Sequence, residues 1–305
     1  MIVDLPDTTT SAVSKALVKL REEGGAVALG RVLTLVIASA GATDEAAIEA
    51  ANDASREHPM RVIVLSTSPD APTRLDAEIR VGGDAGASEV VVLRANGDTA
   101  SDVESLVIAL LLPDAPVVVW WPGEAPEDPH ASALGGIGTR RITDAAASAD
   151  PHGALVRLGA NYTPGDTDFA WTRLTLWRAQ LAAALDQPPF EPVTGVTVVG
   201  SSDSPSTELL ALWLGLQLGV DVACDIKEPG DGPNGIHSVR LARTSGSIEL
   251  SRDEGGVAVL TQPGQPVHEI ALPRRSLRDC LAEELRRLDP DELFGDVVRT
   301  KQAAR

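Results

Sequence analysis

The sequence predicts an α/β protein of two domains. Residues 1–188 read as an N-terminal Rossmann-like domain with a mainly parallel sheet flanked by helices, and residues 189–305 as a C-terminal α/β domain with a mixed or largely antiparallel sheet. Three observations predict this. Apolar, β-branched runs alternate with amphipathic helical patterns through the first half, the arrangement of βαβ units. Short strand-like segments separated by Gly, Asp or Pro occupy much of the second half. Between the halves, Asp186-Gln-Pro-Pro-Phe-Glu-Pro192 cannot continue a helix and reads as the domain boundary.

The elements follow in chain order. Ser11 to Glu23 reads as a helix with Val13, Leu17 and Leu20 on one face, stopped by Gly24-Gly25. Arg31 to Ala38 is an almost unbroken apolar run, the pattern of a strand covered on both faces. Thr43 is expected to cap the next helix, whose first turn carries Asp44 and Glu45, and Pro59 blocks its continuation. Strands at Arg61 to Ser66 and Ser88 to Leu93 come next. A helix opened by the capping box Ser101-Asp-Val-Glu104 and stopped at Pro113 leads to a strand at Ala115 to Trp121. Arg140 to Thr143 adds a short strand, and Asp166 to Asp186 reads as one long helix with Trp171, Leu174, Leu181 and Leu185 at helical spacing.

Past the boundary, Thr194 to Val199 reads as a strand, and Ser204-Pro205 opens a helix with proline at its first position. Segments near Ile236 to Ala242, Ser247 to Ser251, Val257 to Thr261 and Val267 to Leu272 predict an antiparallel meander. A helix from Ser276 to Leu288 closes the domain, and the polar end from Arg299 is expected to fray.

Charge narrows the partners. The chain has 26 Lys and Arg against 44 Asp and Glu, a net charge of -18. Such a field repels nucleic acid and anionic membrane surfaces and favours a protein partner with a positive patch. Cys224 and Cys280 stand far apart, with neither metal spacing nor a disulfide framework. The first residues lack the basic and apolar segments of a signal peptide, and the longest apolar stretches fall short of the roughly 18 residues of a membrane span. These features predict a soluble cytoplasmic protein.

Catalytic signatures are scarce. The phosphate loop G-x-x-x-x-G-K-[ST] is absent, and Ser39-Ala-Gly-Ala-Thr43, after the first apolar strand, carries one glycine only. Gly135-Gly-Ile-Gly138 precedes a strand and reads as a loop. Val199-Gly-Ser-Ser-Asp-Ser-Pro205 is the best anion candidate, but Asp203 opposes it and an N-cap turn at Ser204 explains the pattern more simply. The histidines fall in neither a zinc motif nor a nucleophile elbow, and Asp128-Pro-His130 and Asp150-Pro-His152 read as turn or helix starts. The expectation is no catalytic residue, no cofactor and no metal.

The aromatic residues are more telling, because five Trp stand beside three Phe and one Tyr. Trp120 and Trp121 end a strand at the carboxyl edge of the sheet, and Trp171 and Trp177 share a helix with Arg173 and Arg178. Trp and Arg dominate interface hot spots. Together with Arg140 and Arg141 these residues are the expected partner-binding surface, with core packing the competing role for each Trp. Arg140 and Arg141 beside a Gly-rich turn also suit another reading, a nucleotide or sugar-phosphate sensor or enzyme using that carboxyl edge.

Ala115-Pro-Val-Val-Val-Trp-Trp-Pro-Gly123, Leu134-Gly-Gly-Ile-Gly-Thr-Arg-Arg-Ile-Thr-Asp144 and Asp168-Phe-Ala-Trp-Thr-Arg-Leu-Thr-Leu-Trp-Arg-Ala-Gln-Leu-Ala182 closely resemble the glucose-6-phosphate dehydrogenase assembly protein family, OpcA. The resemblance implies a non-enzymatic role. Members associate with glucose-6-phosphate dehydrogenase, support its active oligomer and so promote entry into the oxidative pentose phosphate pathway. It defines no active site to carry over, and the chain lacks the dehydrogenase's own Gly-rich nucleotide turn.

Overall fold

The computed structural model describes residues 1–23, 32–41, 44–81, 89–228, 235–252 and 256–303. In chain order the first elements are β1 (Ile2–Leu5), α1 (Thr10–Glu23), β2 (Leu33–Ala40), α2 (Glu45–Ala54), β3 (Met60–Ser68), β4 (Arg74–Val81) and β5 (Glu89–Asn96). Next come α3 (Val103–Ile108), β6 (Val117–Trp120), β7 (Arg140–Thr143), α4 (Pro151–Asn161), β8 (Asp166–Asp168), α5 (Phe169–Thr172) and α6 (Thr175–Leu185). The remainder is β9 (Gly195–Ser201), α7 (Pro205–Leu218), β10 (Val222–Lys227), β11 (Ile236–Arg243), β12 (Gly246–Arg252), β13 (Val257–Thr261), β14 (His268–Ala271), α8 (Leu277–Arg286) and α9 (Glu292–Ala303).

These elements form two compact units. One comprises Met1–Asp144, Thr163–Thr167 and Ser276–Pro290, the other Ala145–Tyr162, Asp168–Arg275 and Asp291–Arg305. The expected single cut at residue 188 therefore does not describe the chain, since each unit is assembled from three segments. The reason is local. β8 joins the first unit's sheet, and α8 packs on α2 of that unit, whereas α9 packs on α4 of the other.

In the first unit the strand order is β1-β4-β5-β3-β2-β6-β7-β8. The five strands β5, β3, β2, β6 and β7 are parallel to their neighbours, and β4 and β1 extend the sheet antiparallel beyond β5. Numbered among themselves, the parallel strands run 3-2-1-4-5, the order of dinucleotide-binding folds. Leu35 to Ile37, Val62 to Leu65 and Val90 to Leu93 are buried along their whole length, as apolar runs without alternation require. Val13 and Leu17 of α1 and Val107 of α3 pack with Val36, Ile63, Val91 and Val119 in one apolar cluster.

Several local expectations shift. Asp44 is the N-cap of α2, and its carboxylate accepts from Ala47 N at 3.0 Å. The expected cap Thr43, like the expected stop at Gly24-Gly25, lies outside the described residues. At α3 the cap is Asp102, which accepts from Ser105 N at 3.2 Å, one residue later than the predicted Ser101. β1 and β4 had no sequence signal as apolar runs. β4 alternates Arg74, Asp76, Glu78 and Arg80 with Leu75, Ala77 and Ile79, so only every second residue is buried. Arg80 ties this strand to Glu45 of α2 and pairs with Glu78 on the same strand.

The long helix expected from Asp166 is three elements. Asp168 is extended (φ -137°, ψ 140°), and its carboxylate accepts from Ala170 N at 2.8 Å and Ala145 N at 2.9 Å, so it starts α5 instead of continuing a helix.

The second unit contains a sheet of order β10-β9-β11-β12-β13-β14. β10 runs parallel to β9 and every other neighbouring pair is antiparallel, as the meander predicted. Val196, Val198, Val239, Leu241, Ile248, Leu250 and Leu260 alternate onto one face and share a core with Trp171, Trp177, Leu209, Leu210 and Phe294. Of the end expected to fray from Arg299, α9 continues to Ala303 behind the buried Phe294, Val297 and Val298, and residues 304–305 lie outside the described residues.

Arg61 on β3 and Glu89 on β5 form a buried pair, with Arg61 Nε and Nη2 reaching Glu89 Oε2 at 3.0 and 2.9 Å. Removing one partner strands the other charge in an apolar sheet. Glu89→Ala is therefore expected to cost about 3–5 kcal/mol in chemical denaturation; a loss below about 1 kcal/mol would show that the pair is dispensable.

Candidate functional site

Strand order reverses between β2 and β6, so a ligand crevice of this fold opens past Ala40 and Trp120. The groups that would serve a dinucleotide there are replaced. Where a pyrophosphate would meet the N-terminus of α2, the Asp44 carboxylate already takes the Ala47 amide, and Glu45 follows in the first turn. Arg80 grips Glu45 through two contacts of 2.9 Å, and this hydrogen bonding holds the Glu45 carboxyl below the usual glutamate range. At the end of β3, where a ribose-binding carboxylate would stand, the chain has Ser66-Thr67-Ser68, and the Ser66 hydroxyl donates to Gly41 O.

Four of the expected partner-binding residues lie in this unit, and all four are interior. Trp120 and Trp121 are buried beneath the sheet's covering layers. Arg140 donates through Nε to Glu284 at 2.9 Å, through Nη2 to the same carboxylate, and through Nη1 to Asp289 O at 2.9 Å. Arg141 donates to Asp166 through Nε, to Gly138 O at 2.8 Å and to Pro164 O at 2.8 Å. Gly165 (φ +101°) lets the loop close over Arg141, because a Cβ there would stand 2.9 Å from its Nη2. Both guanidinium groups are thus committed to internal acceptors, which removes them as contact residues and as the basis for a phosphate site at this edge. The physical reason is their place on β7, a strand flanked by β6 and β8 and buried at every residue.

The other four lie in the second unit. Trp171 is buried, donates through Nε1 to Asp291 Oδ2 at 2.8 Å and packs 5.7 Å from the Phe294 ring. Trp177 is buried as well. Arg178 lies over the Trp171 ring at 3.7 Å, and Arg173 lies 5.9 Å from the Phe169 ring. Arg173 and Arg178 are half-buried, so of the eight residues these two alone offer surface.

Arg173 and Trp177 also line a cavity of about 310 Å³ with Arg252, Arg274, Arg275 and Asp203. Ser204, Pro205 and Ser206, at the start of α7, form another wall. Ser204 is the N-cap residue as expected, but its side chain makes no cap hydrogen bond, which corrects the simple capping explanation of that turn. Arg252 is 9% exposed, sits 5.2 Å from the Trp177 ring, and reaches Leu272 O and Ile236 O only at 3.4 and 3.3 Å. Its Nε is buried without a hydrogen-bond partner among the described residues. Burial, reinforced by neighbouring Arg274, pushes Arg252 down to about 10. Sequence reading missed this cluster. Its members come from the α5–α6 junction, the turn before α7, β12 and the segment after β14, and its local signals were the adjacent Arg274-Arg275 and the small-residue turn at Ser201 to Ser204.

Among the described residues no group of three or more His, Cys, Asp and Glu side chains could hold a metal ion. Cys280 is buried, whereas Cys224 is exposed on β10. Desolvation and the Glu208 charge raise its thiol above the ordinary cysteine value, which disfavours the reactive thiolate.

Residues 51–160 match the family model described as the glucose-6-phosphate dehydrogenase subunit N-terminal domain, and residues 164–298 the one described as its C-terminal domain. The chain belongs to the glucose-6-phosphate dehydrogenase assembly protein family, OpcA. Among solved structures it is similar to glucose-6-phosphate 1-dehydrogenase from Mycobacterium avium, at 12% identity over 90% of this chain and 91% of that one, with a TM-score of 0.45. It is also similar to an oxidoreductase from Sinorhizobium meliloti, at 13% identity over 90% and 89%, with a TM-score of 0.46. None of the curated protein sequences matches the chain.

Arg252 generates a stability prediction. A cation whose pKa is lower in the folded than in the unfolded chain costs stability at every pH below its folded value, and the cost fades as pH rises through about 10. At neutral pH the cost stands in full. Arg252→Met is therefore expected to raise the thermal midpoint in anion-free buffer, with the gain shrinking above pH 10; a lowered midpoint would mean that the charge is compensated.

Proposed function

We propose that the chain is a non-catalytic, cytoplasmic partner of glucose-6-phosphate dehydrogenase that docks on the enzyme and supports its active oligomer in the oxidative pentose phosphate pathway. One observation carries the reading. A chain built from the two domains of this dehydrogenase-subunit family keeps the dinucleotide strand order, yet fills the pyrophosphate position with its own Asp44 carboxylate. That carboxylate and Glu45 repel the phosphates that a nicotinamide cofactor would bring to this helix end. Association is the function left to such a fold, and the net charge of -18 favours a positive patch on the enzyme.

Arg173 and Arg178 are the contact residues that this reading retains. The buried Trp171 and Trp177 of the same unit act behind them as the frame that fixes the surface, while Trp120, Trp121, Arg140 and Arg141 serve the interior of the other unit.

Size exclusion with light scattering of the chain mixed with glucose-6-phosphate dehydrogenase from the same organism is expected to give one co-eluting species with raised NADPH formation. Separate peaks with unchanged activity at every ratio would sink the proposal. Replacing Arg173 and Arg178 together by Ala should weaken the association by about tenfold or more, read by titration calorimetry. Undiminished affinity in the folded variant would take this helical segment out of the interface.

A further inference from the structure

We propose that the cavity of the second unit binds a small phosphorylated, hydroxylated metabolite, with its phosphate held by Arg252, Arg274, Arg173 and Arg275 and its hydroxyls directed to Asp203 and Ser204. Charge is the first argument. In a chain with 26 Lys and Arg and a net charge of -18, four arginines line a single cavity of about 310 Å³. That volume suits one small metabolite.

The cavity is built around its cations. Arg252 is more than nine-tenths buried and has an unpartnered Nε among the described residues. Among the described residues its acceptors are two carbonyls at long range. Buried guanidinium groups are ordinarily matched by a carboxylate, as Arg61, Arg140 and Arg141 are in the first unit. A phosphate in the cavity would supply the missing negative charge and accept from several guanidinium donors at once.

Gly235 shows where the donors converge. It has φ +83°, and a Cβ placed on it would lie 3.5 Å from Arg274 Nη1, 3.8 Å from Ser204 Oγ and 4.0 Å from Arg252 Nη2. Three donors from three separate segments surround a space that any side chain at this position would enter. The N-terminus of α7 opens on the same cavity, with the Ser204 side chain not used for capping. These features extend the positive potential beyond the arginines.

Asp203 narrows the ligand class. Its carboxylate lines the cavity and accepts from the Ser201 hydroxyl. It would repel a bare anion or a polycarboxylate, whereas a hydroxyl donor satisfies it. An occupant carrying both phosphate and hydroxyl groups fits the two ends; inorganic phosphate fits one of them.

Binding is measured on the chain alone, so the result is independent of any partner enzyme. Titration calorimetry would use glucose 6-phosphate, fructose 6-phosphate, ribose 5-phosphate and glycerol 3-phosphate as probes, with inorganic phosphate, glucose and citrate as further arms. At least one phosphorylated polyol is expected to bind saturably and more tightly than inorganic phosphate or citrate, and glucose is not expected to bind. Arg274→Glu, at an exposed position, should weaken that binding by about tenfold or more. Arg56→Glu, on a side chain 70% exposed in the other unit, should leave it unchanged. Circular dichroism checks the fold, and Arg274→Gln replaces the charge reversal if that variant does not fold. No saturable binding of any phosphate ester up to about 10 mM would overturn the site. So would equal affinities in the Arg274 and Arg56 variants, and citrate or inorganic phosphate binding best would overturn the ligand class.

Discussion

Arg140 and Glu284 stand 144 residues apart in sequence and meet in the interior of the first unit. A charge in that interior is tolerable only with a partner, and Arg140 finds its partner on α8 and Asp289 O just beyond it. The Thr167 hydroxyl of β8 donates to the same carboxylate at 3.4 Å. One ionic contact thus joins β7, β8 and α8, the three elements that would otherwise belong to separate stretches of chain. The interleaving of the two units follows from it: the chain leaves the first unit after β7, returns for β8, leaves again and returns for α8.

Much of the parallel core was legible because its strands are buried on both faces and read as unbroken apolar runs. β1 and β4 were not, since β1 is a four-residue edge strand and β4, with its alternating charges, looks like a polar loop until the pairing of Arg80 with Glu45 and Glu78 is seen. The segment after Asp166 misled for a different reason. Helical spacing of Trp171, Leu174 and Leu181 is real, but Asp168 uses its carboxylate to bind two backbone amides and restarts the chain direction there. Periodicity records which residues face a core and is silent about where a helix begins.

The candidate site was legible only in part. The Trp and Arg residues that make the family recognisable proved to be mostly interior, so a motif of this kind marks a fold more faithfully than a contact surface. Aromatic enrichment is common to cores and to interfaces, and sequence alone does not separate them. The arginine cavity was hidden by distance along the chain, because Asp203, Arg252 and Arg274 are brought together by the register of β9, β11 and β12 and by the return of the chain after β14. Only Arg274-Arg275 and the small-residue turn at Ser201 to Ser204 left a local trace.

The three-segment construction of each unit also bears on how the protein comes into being. The first unit needs α8 and residues up to 290, and the second needs α9, so neither has its full set of elements until residues 276–303 have emerged from the ribosome. Vectorial, one-domain-at-a-time maturation is closed to such a topology. In the first unit, α2 and the charged Arg140 must wait for a helix made more than 130 residues after β7.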